Sequence, residues 1–212
     1  MSCVIVDYSS GNLHSAQKSF QRMAAETDTG PVVVSSDPEV LARAGRIVLP
    51  GVGAFAGCRA GLMARPGLFE AIEERVIGGG VPFLGICVGA QMMVDIGRED
   101  GDTPGFGWIG GEVVRIAPSD PALKIPHMGW NALEEVARHP VLAGIVPGDH
   151  AYFVHSYHIL ARDPAQVLAR VEHGGPVTAV IGRDNLIGTQ FHPEKSQATG
   201  LRLIANFLTW RP

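Results

Sequence analysis

Residues 81–91 read VPFLGICVGAQ and place a cysteine, Cys87, between a run of apolar residues and a helix-forming segment. Residues 81–86 have the length and apolar content of a buried strand, and residues 90–96 are predicted to form the helix that follows it. Gly85 and Gly89 flank the cysteine because a tight turn from strand to helix leaves no room for side chains there. The stretch therefore predicts an α/β fold in which Cys87 lies, in a strained conformation, at the carboxyl edge of a strand.

The first half of the chain alternates short apolar runs, bounded by glycine and proline, with stretches of helical periodicity. This pattern predicts strands at residues 3–6, 32–34 and 47–49 and helices at residues 12–23 and 68–77. Strands that alternate with helices favour a mostly parallel central sheet flanked by helices.

The second half of the chain consists mainly of short strand-like segments separated by turns. Strands are predicted at residues 105–117, 129–133, 151–160, 177–181 and 186–190, followed by a closing helix at residues 201–210. We expect these strands to form an antiparallel extension of the sheet. The chain has no internal repeat and no low-complexity linker, so residues 1–212 are predicted to form a single domain.

The composition excludes several classes of protein. Of the 212 residues, 46% are hydrophobic and 18% are charged, which is too apolar for a disordered chain. The net charge is −4 with no basic block, so we expect no nucleic-acid partner. No apolar run approaches the length of a membrane span, and the N-terminus does not resemble a signal peptide. Three cysteines cannot form a disulfide framework, so we expect a cytoplasmic protein.

The turn at Cys87 has the layout of a nucleophile elbow, with cysteine in the place more often held by serine. A thiol at a helix N-terminus lies at the positive end of the helix dipole, which favours the thiolate. The backbone N–H of Val88, the next residue, is a candidate oxyanion donor. The alternative is that Cys87 is a small buried hydrophobe, which is how we interpret Cys3 and Cys58.

A catalytic thiolate needs a base, and the base needs a group to orient it. His192 directly follows a predicted strand, and Glu194 is two residues further on, close enough for its carboxylate to hold the imidazole. The alternative is a loop histidine with a solvated glutamate nearby. Combined with the elbow, the first interpretation is favoured.

A third segment, residues 49–55, reads LPGVGAF and also follows a strand. It matches neither phosphate-binding loop motif, so nucleotide binding is not favoured over a plain turn. Gly51 and Gly53 would allow the backbone at Val52 to lie flat against a substrate or to flip a peptide plane.

The remaining histidines give little indication of a metal site. His155 and His158 are three residues apart in a strand-like segment, so their side chains are expected on opposite faces. With no cysteine or carboxylate at ligand spacing, we predict no metal. His139, His150 and His173 are expected in surface loops.

The elbow at Cys87, the segment with His192 and Glu194, and the LPGVGAF segment together resemble the class I (triad) glutamine amidotransferases. The resemblance covers essentially the whole chain. Within that family, several segments look like the glutaminase subunits of imidazole glycerol phosphate synthases. The similar segments are DYSSGNL at residues 7–13, LPGVGAF at 49–55, PHMGWN at 126–131, YFVHSY at 152–157 and FHPEKS at 191–196. Ser9 stands where the family often has glycine, a departure that affects no catalytic residue.

The resemblance implies a flavodoxin-like fold and the hydrolysis of glutamine by Cys87, with His192 as base and Glu194 as its orienting group. It also implies that the backbone N–H groups of Val52 and Val88 bind the oxyanion. Gln91 and the backbone of His155, Ser156 and Tyr157 are implied to contact the substrate. The alternative for Gln91 is an amide on the helix surface. For Tyr152, a further residue of the YFVHSY segment, the alternative is a place in the ordinary core.

Ammonia is a nucleophile only while unprotonated, and the chain has no room for an acceptor domain. The resemblance therefore implies a heterodimer with a cyclase subunit, a (β/α)8 barrel, and no metal or organic cofactor. The cyclase would use the ammonia to make imidazole glycerol phosphate and an aminoimidazole carboxamide ribotide in histidine biosynthesis. Trp130 and Tyr152 are the candidate interface residues, although Trp130 is equally compatible with a place in the core.

Other functions remain open at this point. The chain could supply ammonia to another acceptor, such as pyridoxal phosphate synthase or anthranilate synthase. It could be a stand-alone cysteine peptidase or γ-glutamyl hydrolase. It could also be a binding module that keeps the elbow without catalysis, although the intact triad disfavours this interpretation.

Overall fold

A computed structural model describes residues 2–212. The strands are β1 Cys3–Val6, β2 Val32–Ser35, β3 Arg46–Gly51, β4 Phe83–Cys87, β5 Val94–Gly97, β6 Thr103–Pro104, β7 Ile109–Arg115, β8 His127–Ala132, β9 Glu135–Val136, β10 His150–His155, β11 Tyr157–Ala161, β12 Val167–Glu172, β13 Pro176–Arg183 and β14 Leu186–Thr189. The α-helices are α1 Leu13–Thr27, α2 Pro38–Ala42, α3 Phe55–Met63, α4 Leu68–Glu73, α5 Val88–Gln91 and α6 Gln197–Thr209. None of the helices in residues 2–212 is both long and apolar enough to cross a membrane.

The central sheet has eight strands in the order β2-β1-β3-β4-β14-β13-β12-β9. The five strands from β2 to β14 are parallel, and the next three are joined by antiparallel pairings. The predicted fold class, a mostly parallel sheet with an antiparallel extension, is therefore confirmed. Parallel strands place their carboxyl ends at one edge, and the register that pairs Gly51 with Cys87 brings the two glycine-containing turns side by side.

Two smaller sheets complete the molecule. β8 and β10 form an antiparallel pair, and β11, β7, β5 and β6 form a four-stranded sheet. The segment predicted as one strand, residues 151–160, is two strands, β10 and β11, because the chain passes from one small sheet to the other at Ser156. The Ile116 N–H donates to the Ser156 carbonyl, which extends the register of β7 and β11 by one residue.

Side-chain and backbone contacts fix the two ends of α1 and its packing against α6. The Asn12 side chain accepts a hydrogen bond from the Ser15 N–H, which starts α1, and Asp28 ends it in a left-handed conformation. The buried side of α1 packs against α6, where the rings of Phe20 and Phe207 meet edge to face at 6.4 Å.

The helix predicted over residues 90–96 is wrong, since α5 ends at Gln91 and β5 begins at Val94. The carbonyls that would continue the helix are taken by a distant segment. Those of Met92, Met93 and Val94 accept N–H groups from residues 106–109. These contacts are non-local, so periodicity does not reveal them.

Other boundaries also differ from the predictions. The helix expected over residues 68–77 is α4 followed by a π-helical turn, Glu74–Gly78. The closing helix starts four residues earlier than expected, and Trp210 lies beyond its end. The sequence pattern does not predict β9 and β12, which extend the sheet at its antiparallel side.

Candidate active site

The turn between β4 and α5 is a nucleophile elbow. Cys87 has φ 53° and ψ −111°, a conformation that L-residues rarely adopt. A Cβ on Gly85 would lie 2.6 Å from the Gly89 carbonyl oxygen, and one on Gly89 would lie 1.9 Å from that of Leu49. Both positions therefore require glycine, as the spacing predicts. Because α5 is a single turn, its dipole at the cysteine is smaller than the predicted helix would supply.

His192 and Glu194 lie just beyond the end of β14. The His192 Nδ1–H donates to Glu194 Oε1 over 2.9 Å, and both side chains are almost fully buried. Nε2 of His192 makes no hydrogen bond within the described residues. The backbone of His192 is fixed as well. Its backbone carbonyl accepts a hydrogen bond from Ser196 Oγ, and its backbone N–H donates to the Tyr152 carbonyl. This leaves Nε2 as the nitrogen available for proton transfer.

The electrostatics at His192 favour the imidazolium. Burial lowers the pKa of His192, but the nearby Cys87 and the hydrogen-bonded Glu194 carboxylate outweigh burial and raise its pKa to about 9. A protonated His192 stabilises a thiolate and can deliver a proton to a leaving group.

Cys87 and His192 line one cavity of about 330 Å³. The lining includes almost all of the predicted substrate residues, namely Val52, Gly53, Val88, Gln91, His155, Ser156 and Tyr157. Gly51 lies behind the residues that line the cavity, and a Cβ on Gly51 would be 2.8 Å from the Gly89 nitrogen. Glu99 also lines the cavity, with one carboxylate oxygen accepting the Phe55 N–H. Sequence reasoning misses Glu99, because an isolated acidic residue in a polar turn carries no motif.

The backbone at Val52 is held by Ser10. The Val52 N–H donates to Ser10 Oγ over 3.2 Å, and the hydroxyl donates to the Val52 carbonyl over 2.9 Å. Cys58, on α3, donates its thiol to the same carbonyl over 3.4 Å. The N–H implied as an oxyanion donor is thus engaged elsewhere in this structure, and Gly53, at φ 106°, supplies the flexibility for a flip.

Two buried glutamines face each other beside the nucleophile. Gln91 Nε2 donates to the Tyr157 carbonyl and to Gln190 Oε1, each over 3.0 Å. Gln190 Nε2 is 3.6 Å from Cys87 Sγ, in hydrogen-bonding geometry. The surface-amide alternative for Gln91 is therefore wrong. The sequence does not single out Gln190, because a polar residue at a strand end is usually solvated.

The imidazole of His155 is buried and fully hydrogen-bonded. Nδ1–H donates to the Tyr157 carbonyl over 2.8 Å, and Nε2 is 3.0 Å from Nδ1 of His127. Burial lowers the pKa of His155 to about 3 and that of His127 to about 4, so both rings are neutral at neutral pH.

The other predicted residues are distributed as follows. His158 is buried on β11 and does not line the cavity, and burial lowers its pKa. His150 is exposed, as expected. His139 and His173 are partly buried instead, because His139 packs edge to face on Trp210 and His173 stacks on His127.

Trp130 and Tyr152 are cross-strand neighbours on β8 and β10, with ring centroids 5.9 Å apart. Trp130 is 48% exposed and Met128, on the same strand, is 66% exposed, so the core interpretation of Trp130 is wrong. Lys195 Nζ lies 5.8 Å from the Tyr152 ring. Trp130 and Tyr152 thus form a partly exposed aromatic surface beside Lys195, which is three residues beyond His192.

The fold and this site define an α/β protein in which a cysteine at a strand-to-helix turn shares a cavity with a hydrogen-bonded histidine–glutamate pair. The family model "Glutamine amidotransferase class-I" matches residues 4–210, and the chain belongs to that family.

Named relatives and solved structures agree with this family. The chain is 65% identical to an "Imidazole glycerol phosphate synthase subunit HisH" of Cereibacter sphaeroides and 60% identical to one of Ruegeria pomeroyi. Each comparison covers all of both chains. A solved glutamine amidotransferase has a TM-score of 0.70 at 19% identity, with 97% of this chain and 96% of that chain covered, which shows the same fold.

Proposed function

We propose that this chain is the glutaminase subunit of an imidazole glycerol phosphate synthase, hydrolysing glutamine to glutamate and ammonia for histidine biosynthesis. The observation that carries the proposal is the single cavity lined by Cys87 and His192, with Glu194 hydrogen-bonded to the histidine. The shared name of the full-length relatives favours this acceptor over pyridoxal phosphate synthase, anthranilate synthase or a stand-alone hydrolase.

The reaction proceeds through a thioester. The Cys87 thiolate attacks the carboxamide carbon, and a C–S bond forms as the carbonyl electron pair moves to oxygen. The oxyanion is held by the backbone N–H groups of Val88 and, after reorientation, Val52. The His192 imidazolium gives its proton to the nitrogen, the C–N bond breaks and ammonia leaves. Water then attacks the thioester while His192 takes its proton, and glutamate and the thiolate are released.

The amino-acid end of glutamine is held at the other side of the cavity. The Glu99 carboxylate is suited to the α-ammonium group, since it is the acidic side chain among the lining residues. Gln91 and the backbone of His155, Ser156 and Tyr157 close that side. Val52 and Gly53 line the cavity next to the reacting carbonyl, and Gly51 lies behind them.

The ammonia is passed to a cyclase subunit, a (β/α)8 barrel, with which the chain forms a heterodimer. Trp130 and Tyr152 lie on the contact surface. The half-exposed Trp130 beside Tyr152 supports this assignment, because buried aromatic anchors dominate protein interfaces. Residues 1–212 act as one domain in the cytoplasm, a location that suits three free thiols.

Glutamine hydrolysis is expected to be gated by the partner, because the Val52 N–H is bound to Ser10 in the chain alone. Losing one oxyanion donor costs about 100- to 1,000-fold in rate. The test measures glutamate production by the chain alone, with cyclase, and with cyclase plus its nucleotide ligand. Turnover is expected to rise at each step. Equal turnover in all three would contradict gating, and no glutamate in any of them would contradict the proposed function.

A further inference from the structure

We propose that Gln190 is an additional catalytic group, whose side-chain N–H donates to the Cys87 sulfur and stabilises the thiolate. The proposal concerns the same site as the proposed function and rests on it for the reaction served. Its evidence is the 3.6 Å contact between Gln190 Nε2 and Cys87 Sγ, with both residues almost completely buried.

The direction of this contact follows from the chemistry of the amide. A side-chain amide nitrogen has two N–H groups and no lone pair to offer, so Gln190 can only donate to the sulfur. A thiolate accepts such a hydrogen bond far better than a neutral thiol does, because charge-assisted hydrogen bonds are about twice as strong. The contact therefore favours the nucleophilic state. No proton is transferred to or from Gln190.

The orientation of the Gln190 amide is set by Gln91. The Gln190 oxygen accepts from Gln91 Nε2, so the nitrogen is left to face the sulfur. Gln91 is itself oriented, because the same nitrogen donates to the Tyr157 carbonyl. The Gln190 backbone N–H donates to the Ala179 carbonyl, which fixes the residue to β13.

The chain of hydrogen bonds continues to the two-stranded sheet. His155 donates to the Tyr157 carbonyl from Nδ1, so its Nε2 must accept from His127 Nδ1–H. Nε2 of His127 then accepts from the Asn131 amide, which also donates to the Glu172 carbonyl. The low pKa values of both rings keep them neutral, as this pattern requires. Asn131 and His127 act as positioning residues, and they lie on the strand that carries Trp130.

The Gln190 N–H also adds stabilisation of the Cys87 thiolate that the short helix α5 does not provide. α5 is a single turn, too short for a strong dipole, and His192 Nε2 makes no hydrogen bond of normal geometry to the sulfur. An amide N–H held 3.6 Å away is thus a hydrogen-bonded partner of Cys87 that does not depend on pH.

The test is the pH dependence of Cys87 alkylation by iodoacetamide in the full chain, for the native protein, Gln190→Met and Gln190→Glu. Met keeps the length of the side chain and removes the donor. We expect the pH of half-maximal alkylation to rise by about one unit in Gln190→Met, and alkylation at pH 7 to slow about tenfold. Gln190→Glu should raise the pH of half-maximal alkylation further, because its carboxylate repels the thiolate. The control, Gln21→Met, changes an exposed glutamine on α1 and should leave the profile unchanged.

A purely structural role for Gln190 predicts a different result. A loosened cavity would change the alkylation rate equally at every pH, without moving the midpoint. An unchanged midpoint in Gln190→Met, with a native circular dichroism spectrum, overturns the proposal, as does a shift seen only in Gln190→Glu. Alkylation needs no glutamine, so a chain that hydrolysed none would contradict the proposed function and leave this measurement intact.

A second measurement uses the native chain and applies even where the variants do not fold. In protein labelled with ¹⁵N-glutamine, the Gln190 side-chain N–H resonances are expected to move when Cys87 is carbamidomethylated, because the sulfur loses its charge and acceptor strength. Resonances of Gln21 should stay in place. Gln190 resonances that do not respond overturn the proposal.

Discussion

At the scale of single residues, the Cys87 backbone conformation separates this cysteine from the other two. Cys3 lies in a central strand, where burial raises the pKa of its thiol to about 12, and burial also raises the pKa of the Cys58 thiol. Only Cys87 is presented at the carboxyl edge of the sheet, opposite an imidazole. The two buried thiols are therefore poor nucleophiles.

We predict that Cys87→Ala abolishes glutamine hydrolysis by the complex, whereas Cys3→Ala and Cys58→Ala keep most of it. Cys87→Ser should also be nearly inactive, since a hydroxyl is far less acidic than a thiol. The measurement is steady-state glutamate production, together with peptide mapping after reaction with an electrophilic glutamine analogue. Substantial turnover in Cys87→Ala, or a label on Cys58, would rule out a covalent mechanism through Cys87.

Ser10 offers a second prediction at this scale. Its hydroxyl accepts the Val52 N–H and donates to the Val52 carbonyl, so Ser10→Ala removes both contacts from one peptide segment. We expect the isolated chain to hydrolyse glutamine faster, by up to about tenfold, because the inactive conformer loses about one net hydrogen bond. Ser19→Ala, on α1, is the matched control. A basal rate that falls or stays the same would show that Ser10 does not hold the inactive conformer.

The sequence singles out the residues proposed as catalytic more readily than their surroundings. Cys87, His192 and Glu194 each belong to short motifs in which glycine or proline fixes the local backbone. Gln190 and Glu99 do not, because their importance depends on residues that are distant in sequence: Gln190 contacts Cys87 and Gln91, and Glu99 lines the cavity. Periodicity describes one segment at a time and contains no information on such contacts.

At the scale of secondary-structure elements, β8 and β10 carry two neutral histidines whose pKa values are lowered by burial. In the unfolded chain both titrate near 6.5, while in the folded chain His127 titrates near 4 and His155 near 3. Below pH 6.5 the unfolded chain therefore binds protons that the folded chain does not. The contribution of these two histidines to stability is complete above pH 6.5 and is lost as the pH falls towards 3.

We accordingly predict that the free energy of unfolding falls between pH 6.5 and 4 by about 1 kcal/mol per pH unit for each of these histidines. His127→Gln should be less stable at pH 7, because it loses ring stacking, but its stability should fall less steeply with acid. The measurement is urea unfolding at a series of pH values, with the exposed His14→Gln as control. An identical slope in His127→Gln and the native chain would contradict the assignment.

Element boundaries can be predicted only where the hydrogen bonds are local. The parallel strands β1 to β4 are predicted within two or three residues, because each is a short run of apolar residues. The errors at residues 90–96 and 151–160 both come from non-local pairing. At residues 92–94 the carbonyl groups bond to residues 106–109, and at Ser156 the chain changes its pairing partner from β8 to β7 although its apolar pattern continues.

At the scale of the whole molecule, the partner surface is the part that a single sequence describes least. The sequence leaves Trp130 undecided between core and interface, because an aromatic residue beside glycine fits both. The fold settles its exposure, since among residues 2–212 β8 pairs only with β10, and one face of this two-stranded sheet is open.

We predict that Trp130→Ala weakens association with the cyclase by at least about tenfold while lowering the Tm of the free chain by only a few degrees. A half-exposed ring contributes little to the core and much to an interface that buries it. The measurements are isothermal titration calorimetry and thermal unfolding, with Leu160→Ala as control, since Leu160 is 45% exposed on the four-stranded sheet. Unchanged affinity together with a large loss of Tm would place Trp130 in a structural role.

The backbone contact between Gly89 and Leu49 bears on how this enzyme can diverge. A Cβ on Gly89 would lie 1.9 Å from the Leu49 carbonyl oxygen, and one on Gly85 would lie 2.6 Å from that of Gly89, so these two positions beside Cys87 are closed to substitution. Within residues 2–212, β8 and β10 pair only with each other, and Met128 and Trp130 on β8 are exposed. A lineage or a protein engineer can therefore change the surface offered to an ammonia acceptor at these exposed positions. His127 and Asn131 on the same strand, and the Tyr152 carbonyl that accepts the His192 N–H, must be kept.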